Sequence, residues 1–195
     1  SDGLTCRDSA LSTLSTVPLH ETVEAELESM NVGFEEMDCD PDLADTAAFC
    51  EAYDIPMEHS ANAILVASRK PEGEFALCVV LATDRLDVNG TVRKRMGVRK
   101  ASFAPADVTL DKTGQEIGGV TVFGIPPDIP IWVDSKVQDR DWVIVGAGTR
   151  TAKVKLAPGV FEVNDRFEVV EGLSRVEQGR PGRLNGAPFE EPGSR

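Results

Sequence analysis

Two apolar runs decide how this chain folds: Asn62-Ala63-Ile64-Leu65-Val66-Ala67-Ser68 and Phe75-Ala76-Leu77-Cys78-Val79-Val80-Leu81-Ala82, joined by Arg69-Lys70-Pro71-Glu72-Gly73-Glu74. Both runs are strand-length, and the polar connection carries Pro and Gly, so the pair is predicted to be a β-hairpin.

Working outward, apolar residues take helical spacing on both sides. Val23, Leu27 and Met30 predict an amphipathic helix over His20–Met30, and Leu43, Ala47 and Cys50 a second over Asp42–Tyr53. Asp87 is placed to cap a helix carrying Val88, Val92 and Met96 on one face, with Gly97 to end it. Pro105 and Asp107 open another short helix, and Gly114–Pro130 is an ordered loop rich in glycine and proline. Strands are expected at Ile131–Val133, Trp142–Val145, Val154–Leu156 and Arg166–Val170. Helices and strands interspersed without βαβ regularity predict an α+β fold, with a mixed, strongly curved, barrel-like sheet and surrounding helices. The expected boundaries are a loose N-terminal arm over residues 1–17, one domain over 18–172 and a flexible C-terminal tail over 173–195.

The chain has 195 residues, 41% hydrophobic and 27% charged, which supports a core in about one domain. The longest apolar run, Phe75–Ala82, falls far short of the roughly 20 residues of a membrane span. No charged-then-apolar leader opens the sequence, and Cys6, Cys39, Cys50 and Cys78 form no CxxC pair, so a reduced, cytoplasmic protein is expected. The net charge of −13 is unevenly spread: residues 1–60 hold 15 acids against Arg7 alone. In the near-neutral remainder, Arg93, Lys94, Arg95, Arg99 and Lys100 stand with no acid between Val88 and Ala106, and Arg150, Lys153 and Lys155 form a second group. The total charge disfavours nonspecific binding to DNA or RNA, while one locally basic face still suits a polyanion. Two solvated faces would give the same pattern.

Most catalytic and metal signatures are missing. Gly146-Ala147-Gly148 follows a strand, but the third glycine of a dinucleotide loop is absent and Lys153-Val154-Lys155-Leu156 reads as a strand where that loop needs a helix. His20 and His59 and four scattered cysteines show no zinc spacing, and His59 sits in a polar connection rather than beside a nucleophile. Glu35, Glu36, Asp38, Asp40 and Asp42 lack the glycine and closing glutamate of an EF-hand and read as a solvated acidic loop. The informative segment is Gly118-Gly119-Val120-Thr121-Val122-Phe123-Gly124-Ile125-Pro126. Adjacent glycines let backbone N–H groups face a cavity and hold a carbonyl or carboxylate oxygen; a tight crossover with apolar plugs would use the same composition.

That loop belongs to a longer series: Val98-Arg99-Lys100-Ala101-Ser102-Phe103-Ala104, Thr113-Gly114, the glycine loop, Ile131-Trp132-Val133-Asp134 and Val143-Ile144-Val145-Gly146-Ala147-Gly148-Thr149-Arg150. In order and spacing, Asn62 to Leu156 resembles the YbaK/prolyl-tRNA-synthetase-associated domain, a family of aminoacyl-tRNA editing deacylases. Asp45-Thr46-Ala47-Ala48 is similar to the family's N-terminal helix start. The resemblance implies a pocket that receives the 3′ end of a mischarged tRNA and clears a small, wrongly attached amino acid, the second sieve of double-sieve editing. It implies water attack assisted by the substrate's own ribose hydroxyl, with no cofactor and no metal. It places substrate at Thr46, Gly118, Gly119, Val120, Thr121, Val122, Gly146, Gly148 and Thr149, and RNA against Arg93, Lys94, Arg95, Lys100 and Arg150. The implied partners are the aminoacyl-tRNA 3′ end and a tRNA synthetase.

Two departures stand out. The family's functional lysine falls at Asn62, which can hydrogen-bond but cannot neutralise a phosphate, and which a strand start also uses to satisfy local backbone. The family's pattern of glycine followed four positions later by proline becomes Gly118 to Val122. Three functions follow: a free-standing deacylase; a noncatalytic module that binds a tRNA end or an aminoacyl ligand; and an interaction protein that docks through the acidic first third. The charge split predicts that RNA meets Arg93–Lys100. Alanine at Arg93, Lys94 and Arg95 together is expected to weaken tRNA binding and to flatten its log–log salt dependence by about 0.9 for each phosphate no longer neutralised; an unchanged slope would refute this.

Overall fold

The computed structural model describes residues 19–176. At its centre are the two apolar runs: β2 (Ala61–Lys70) and β3 (Glu72–Leu81) pair antiparallel, in register from Ala61↔Leu81 to Arg69↔Glu72. The connection expected over Arg69–Glu74 is mostly strand, with only Pro71 between the two and a register shift between Ala67 and Arg69 easing the reversal. β5 (Lys100–Phe103) pairs with the other edge of β2, but only along Val66–Lys70. β6 (Ile131–Asp134) runs parallel to β3 and β9 (Phe167–Val170) parallel to β6, giving the order β5-β2-β3-β6-β9.

A second, antiparallel sheet has the order β1-β8-β7, from β1 (Phe34–Asp38), β8 (Ala152–Leu156) and β7 (Val143–Gly146). A third pairs β4 (Asp84–Leu86) with β10 (Ser174–Val176). The first two meet through one parallel bridge, Ser60↔Ile144. The α+β class and the mixed sheet therefore hold, but the barrel-like curvature does not. A barrel needs a continuous staggered ladder, and here the ladder stops where β2 leaves Ala61–Leu65 without a strand on its outer edge.

The core explains why β3 reads as an unbroken apolar run. Leu77, Val79 and Leu81 face the space between the two larger sheets, where Leu65, Ile131 and Val133 meet Val143, Val145, Val154 and Leu156. Ala76, Cys78 and Val80 face the opposite way, against Val66, Val92, Trp132 and Leu173. A strand buried on both faces has no polar side to alternate with. A smaller cluster of Cys39, Ala44, Phe49, Cys50 and Ile144 lies on the outer side of the three-stranded sheet.

The helices follow their caps. α1 (Glu21–Met30) starts at His20, whose Nδ1 accepts from the Thr22 N–H, and packs Val23 and Leu27 into the main core. The helix expected over Asp42–Tyr53 is split: a 3-10 turn over Pro41–Leu43 precedes α2 (Thr46–Ala52), because Asp45 takes an extended conformation and begins a new helix. The Asp87 carboxylate accepts from the N–H groups of Gly90 and Thr91 and caps a π-helical turn over Val88–Val92, which leads into α3 (Arg93–Met96) and ends at Gly97 with φ +68°. α4 (Ala106–Thr113) and α5 (Ser135–Gln138) complete the set.

β1 lies where an acidic loop was expected. The segment is held by a partner strand, with Glu35 opposite Lys155 and Met37 opposite Lys153, so pairing overrides poor strand propensity. The ordered chain also runs past residue 172: Leu173 is fully buried and Ser174 pairs with Leu86. The expected arm over residues 1–17 and the rest of the expected tail lie outside the described residues. Among the described residues no helix is long and apolar enough to cross a membrane.

Burial pushes the Cys78 thiol up to about 12 from its usual value near 9. A folded pKa above the unfolded one stabilises below the unfolded value, and that contribution is lost as pH climbs toward the folded one. Stability should therefore fall between about pH 9 and 12, and Cys78→Ala should flatten that decline relative to the parent in denaturant melts. An identical slope in the two proteins would contradict it.

Candidate functional site

The unpaired stretch of β2 opens onto a cavity of about 260 Å³. Two backbone bonds fix which way β2 points: the Ala82 N–H donates to Ser60 O at 2.8 Å, and the Ala104 N–H donates to Leu65 O at 2.9 Å. By antiparallel alternation, Asn62 and Ile64 bond toward β3, while Ala63 and Leu65 aim N–H and C=O at the open edge. Leu65 is met by Ala104 and the other end is closed by the Ser60↔Ile144 bridge, which leaves the backbone of Ala63 facing the cavity.

Of the residues expected at the site, Thr46, Asn62, Gly118, Val120 and Gly146 line this one cavity. Asn62 is anchored there: the Thr46 hydroxyl donates to its Oδ1 at 2.6 Å, joining the first residue of α2 to the start of β2. The remaining residues stand behind the wall. Thr121 and Val122 are buried, and Gly119, Gly148 and Thr149 are not among the lining residues.

The glycines serve close backbone contact more than an array of free donors. A Cβ on Gly119 would lie 2.3 Å from Thr149 O, and one on Gly146 would lie 2.4 Å from Val120 O. The Gly119 N–H donates to Glu116 O at 2.9 Å and the Gly148 N–H to Gly119 O at 2.7 Å. Gln115, fully buried, holds the far side of the loop: its Oε1 accepts from the Thr121 N–H at 2.9 Å and its Nε2 donates to Phe123 O at 2.7 Å.

Sequence reading misses the residue at the polar end of the cavity. Lys153 is only 7% exposed and donates from Nζ to Ala44 O at 2.9 Å and Gly118 O at 2.8 Å. Burial lowers its pKa, opposed in part by Cys39 and Asp45. Burial likewise pushes the Cys39 and Cys50 thiols up. The signal is the alternation in Ala152-Lys153-Val154-Lys155-Leu156: Ala152, Val154 and Leu156 take the core face and put both lysines on the other. That other face is covered by Phe49 and its neighbours, so Lys153 is not solvated there; its Nζ lies 5.5 Å from the Phe49 ring centre.

The basic residues divide. The Arg150 guanidinium donates to Pro41 O at 2.8 and 3.2 Å and to Ile117 O at 2.8 Å, so it braces the cavity mouth. Arg95 pairs with Glu168 and lies over the Trp132 ring, and Arg93 donates to Asn89 O. Lys94, Arg99 and Lys100 are exposed. Arg99 and Lys100 sit at the far end of β2, where the Arg99 N–H donates to Lys70 O and Lys100 pairs with Lys70. His59, read from sequence as part of a polar connection, stacks on Trp142 at 4.0 Å between ring centres.

Known proteins match this chain in sequence and in fold. The aminoacyl-tRNA editing domain model matches residues 40–162, and the chain belongs to that family. It is 31% identical over 91 residues to the uncharacterized protein YwhH of Bacillus subtilis, a match covering 47% of this chain and 57% of that relative. The chain thus spans little more than half the length of that curated relative. Among solved structures, the hypothetical protein APE2540 superposes with a TM-score of 0.70 at 21% identity, over 80% of this chain and all of that one. A candidate trans-editing enzyme for prolyl-tRNA synthetase superposes with a TM-score of 0.65 at 18% identity, over 77% of this chain and 93% of that one. At these identities the two structures define the fold.

Gly119→Ala must push Thr149 backbone aside, and overpacking of this kind costs roughly 1–3 kcal/mol. At about 2–4 °C per kcal/mol for a domain of this size, a melting temperature several degrees lower is expected. Gly159→Ala, where a Cβ meets nothing within 4 Å, is the control expected to stay within about 1 °C. Equal melting temperatures would show that the loop and the Gly146–Thr149 segment can separate freely.

Proposed function

We propose that this protein is a trans-acting deacylase that hydrolyses mischarged aminoacyl-tRNA. The observation that carries the reading is that Thr46, Asn62, Gly118, Val120 and Gly146, distant in sequence, border one cavity at a free strand edge. A space of about 260 Å³ takes an aminoacyl ester and its water but not folded RNA, which suits a site that reads only the 3′ end. Family membership supports the same reading. The apolar lining from Leu65, Ile117, Val120 and Ile144 favours a small, uncharged amino-acid side chain. Exposed Lys94, Arg99 and Lys100 are the groups we assign to the RNA backbone, and a synthetase that supplies the rest of the tRNA affinity is the partner we infer, given the net charge of −13. We place the protein in the cytoplasm and its working unit at residues 18–172, extended through β10.

A second reading rests on Asn62. With the family lysine replaced and its amide engaged by Thr46, the domain would bind a tRNA end or an aminoacyl ligand without turnover. A deacylation assay on a panel of mischarged tRNAs separates the two. The first reading expects hydrolysis of at least one member, slowed about tenfold or more by Asn62→Ala, the worth of one good hydrogen bond. Binding without hydrolysis across the panel would leave the second reading standing.

A further inference from the structure

Lys153 carries the strongest unassigned chemistry among the described residues. Among the described residues no other lysine or arginine is buried. An ammonium has three N–H donors; two go to Ala44 O and Gly118 O, and the third has no acceptor among the described residues. The side chain lines the cavity, from a β8 position paired with Gly146 of β7, which lines it too. Both hydrogen-bond partners are neutral carbonyls, and the Phe49 ring 5.5 Å from Nζ carries no formal charge. The acid that acts on it, Asp45, has a side chain 75% exposed and lies 3.8 Å from Arg150. A buried cation so poorly compensated is costly to a fold, and such groups cluster where a ligand completes the charge balance.

We propose that Lys153 is a catalytic residue of this cavity, its third N–H donating to the carbonyl oxygen of an aminoacyl ester and stabilising the charge that oxygen gains during hydrolysis. The inference rests on the deacylase reading. Water bonds to the carbonyl carbon, and the carbonyl π pair moves onto the oxygen beside Lys153. Collapse restores the C=O and breaks the bond to the ribose oxygen, which takes the proton that water gives up. Free amino acid and tRNA with a free hydroxyl leave, and the lysine keeps its proton throughout. An ester carbonyl suits this place better than a phosphodiester. It enters uncharged past Leu65, Val120 and Ile144, and becomes negative only where the cation waits. The cation of the site thus arrives from β8 and not from the Asn62 position on β2.

The test is single-turnover hydrolysis by the full chain, wild type against Lys153→Met, on a mischarged tRNA that the wild type clears. The affinity for the same tRNA without its amino acid is measured in parallel. The expected result is a loss of at least about 100-fold in rate, the effect of removing one oxyanion donor, with affinity for the uncharged tRNA kept within about twofold. A rate within threefold of wild type would overturn the proposal. Because Lys153→Met also strips two carbonyls of their donor, the wild-type protein supplies a second measurement. With ¹³C-labelled lysine, the Lys153 side-chain signal is titrated with pH, with and without an aminoacyl-adenosine whose ester is replaced by an amide. Contact with the carbonyl oxygen is expected to move the midpoint upward, against the constant background of Asp45, Arg150, Cys39 and Cys50. An unmoved midpoint, or no binding of the analogue, overturns the assignment. If the wild type hydrolyses no tRNA, the deacylase reading falls by itself, while the titration still decides whether Lys153 holds an aminoacyl carbonyl.

Discussion

Two cations from adjoining positions hold the same pair of backbone segments. Arg150 takes the carbonyls of Pro41 and Ile117, and Lys153 takes those of Ala44 and Gly118. The approach to α2 and the glycine loop have no ladder between them, so these charge-assisted bonds are what brings them to a common wall. The position of Thr46, and through it Asn62, depends on that clamp. Charge is being used here in place of a hydrophobic seam, at a point where an apolar seam would have filled the cavity.

The clamp works because the chains behind it come unusually close. Gly119 lies against Thr149 and Gly146 against Val120 at distances no side chain permits. Gln115 then ties the loop's apolar half into the core through Thr121 and Phe123. The loop is consequently held from three directions, by carbonyl-to-cation bonds, by bare backbone contact and by a buried amide. Its Gly118 and Val120 edge is a fixed boundary of the cavity rather than a lid. A preset wall of this kind lowers the ordering cost of seating a small ligand.

What can be read from the sequence follows from where the physics is local. The hairpin and α1 are legible because length, turn residues and apolar spacing all lie within one window. β1 is not, since Phe34-Glu35-Glu36-Met37-Asp38 is a strand only by virtue of β8 beside it. The barrel-like expectation fails for a related reason: closure depends on strand partners, and β5 stops at Val66. At the site, register with a family points to Thr46, Asn62, Gly118, Val120 and Gly146, and these do share a cavity. Lys153 reads as a solvated charge, because a lysine every second residue resembles a wet face until another cluster is found covering it. Arg150 reads as an RNA contact because a sequence shows charge without showing which carbonyls it meets.

The gap beside β2 also bears on pairing with other chains. Unpaired strand edges invite pairing with other chains and are a common route into aggregates. Here the exposed rung is a single residue, Ala63, stopped on one side by Ile144 and on the other by Ala104. A second strand cannot lengthen a pairing that is blocked at both ends, while a ligand needing one donor and one acceptor fits it. The edge is thus selective by length: open to a small molecule, and shut to the propagation of a sheet.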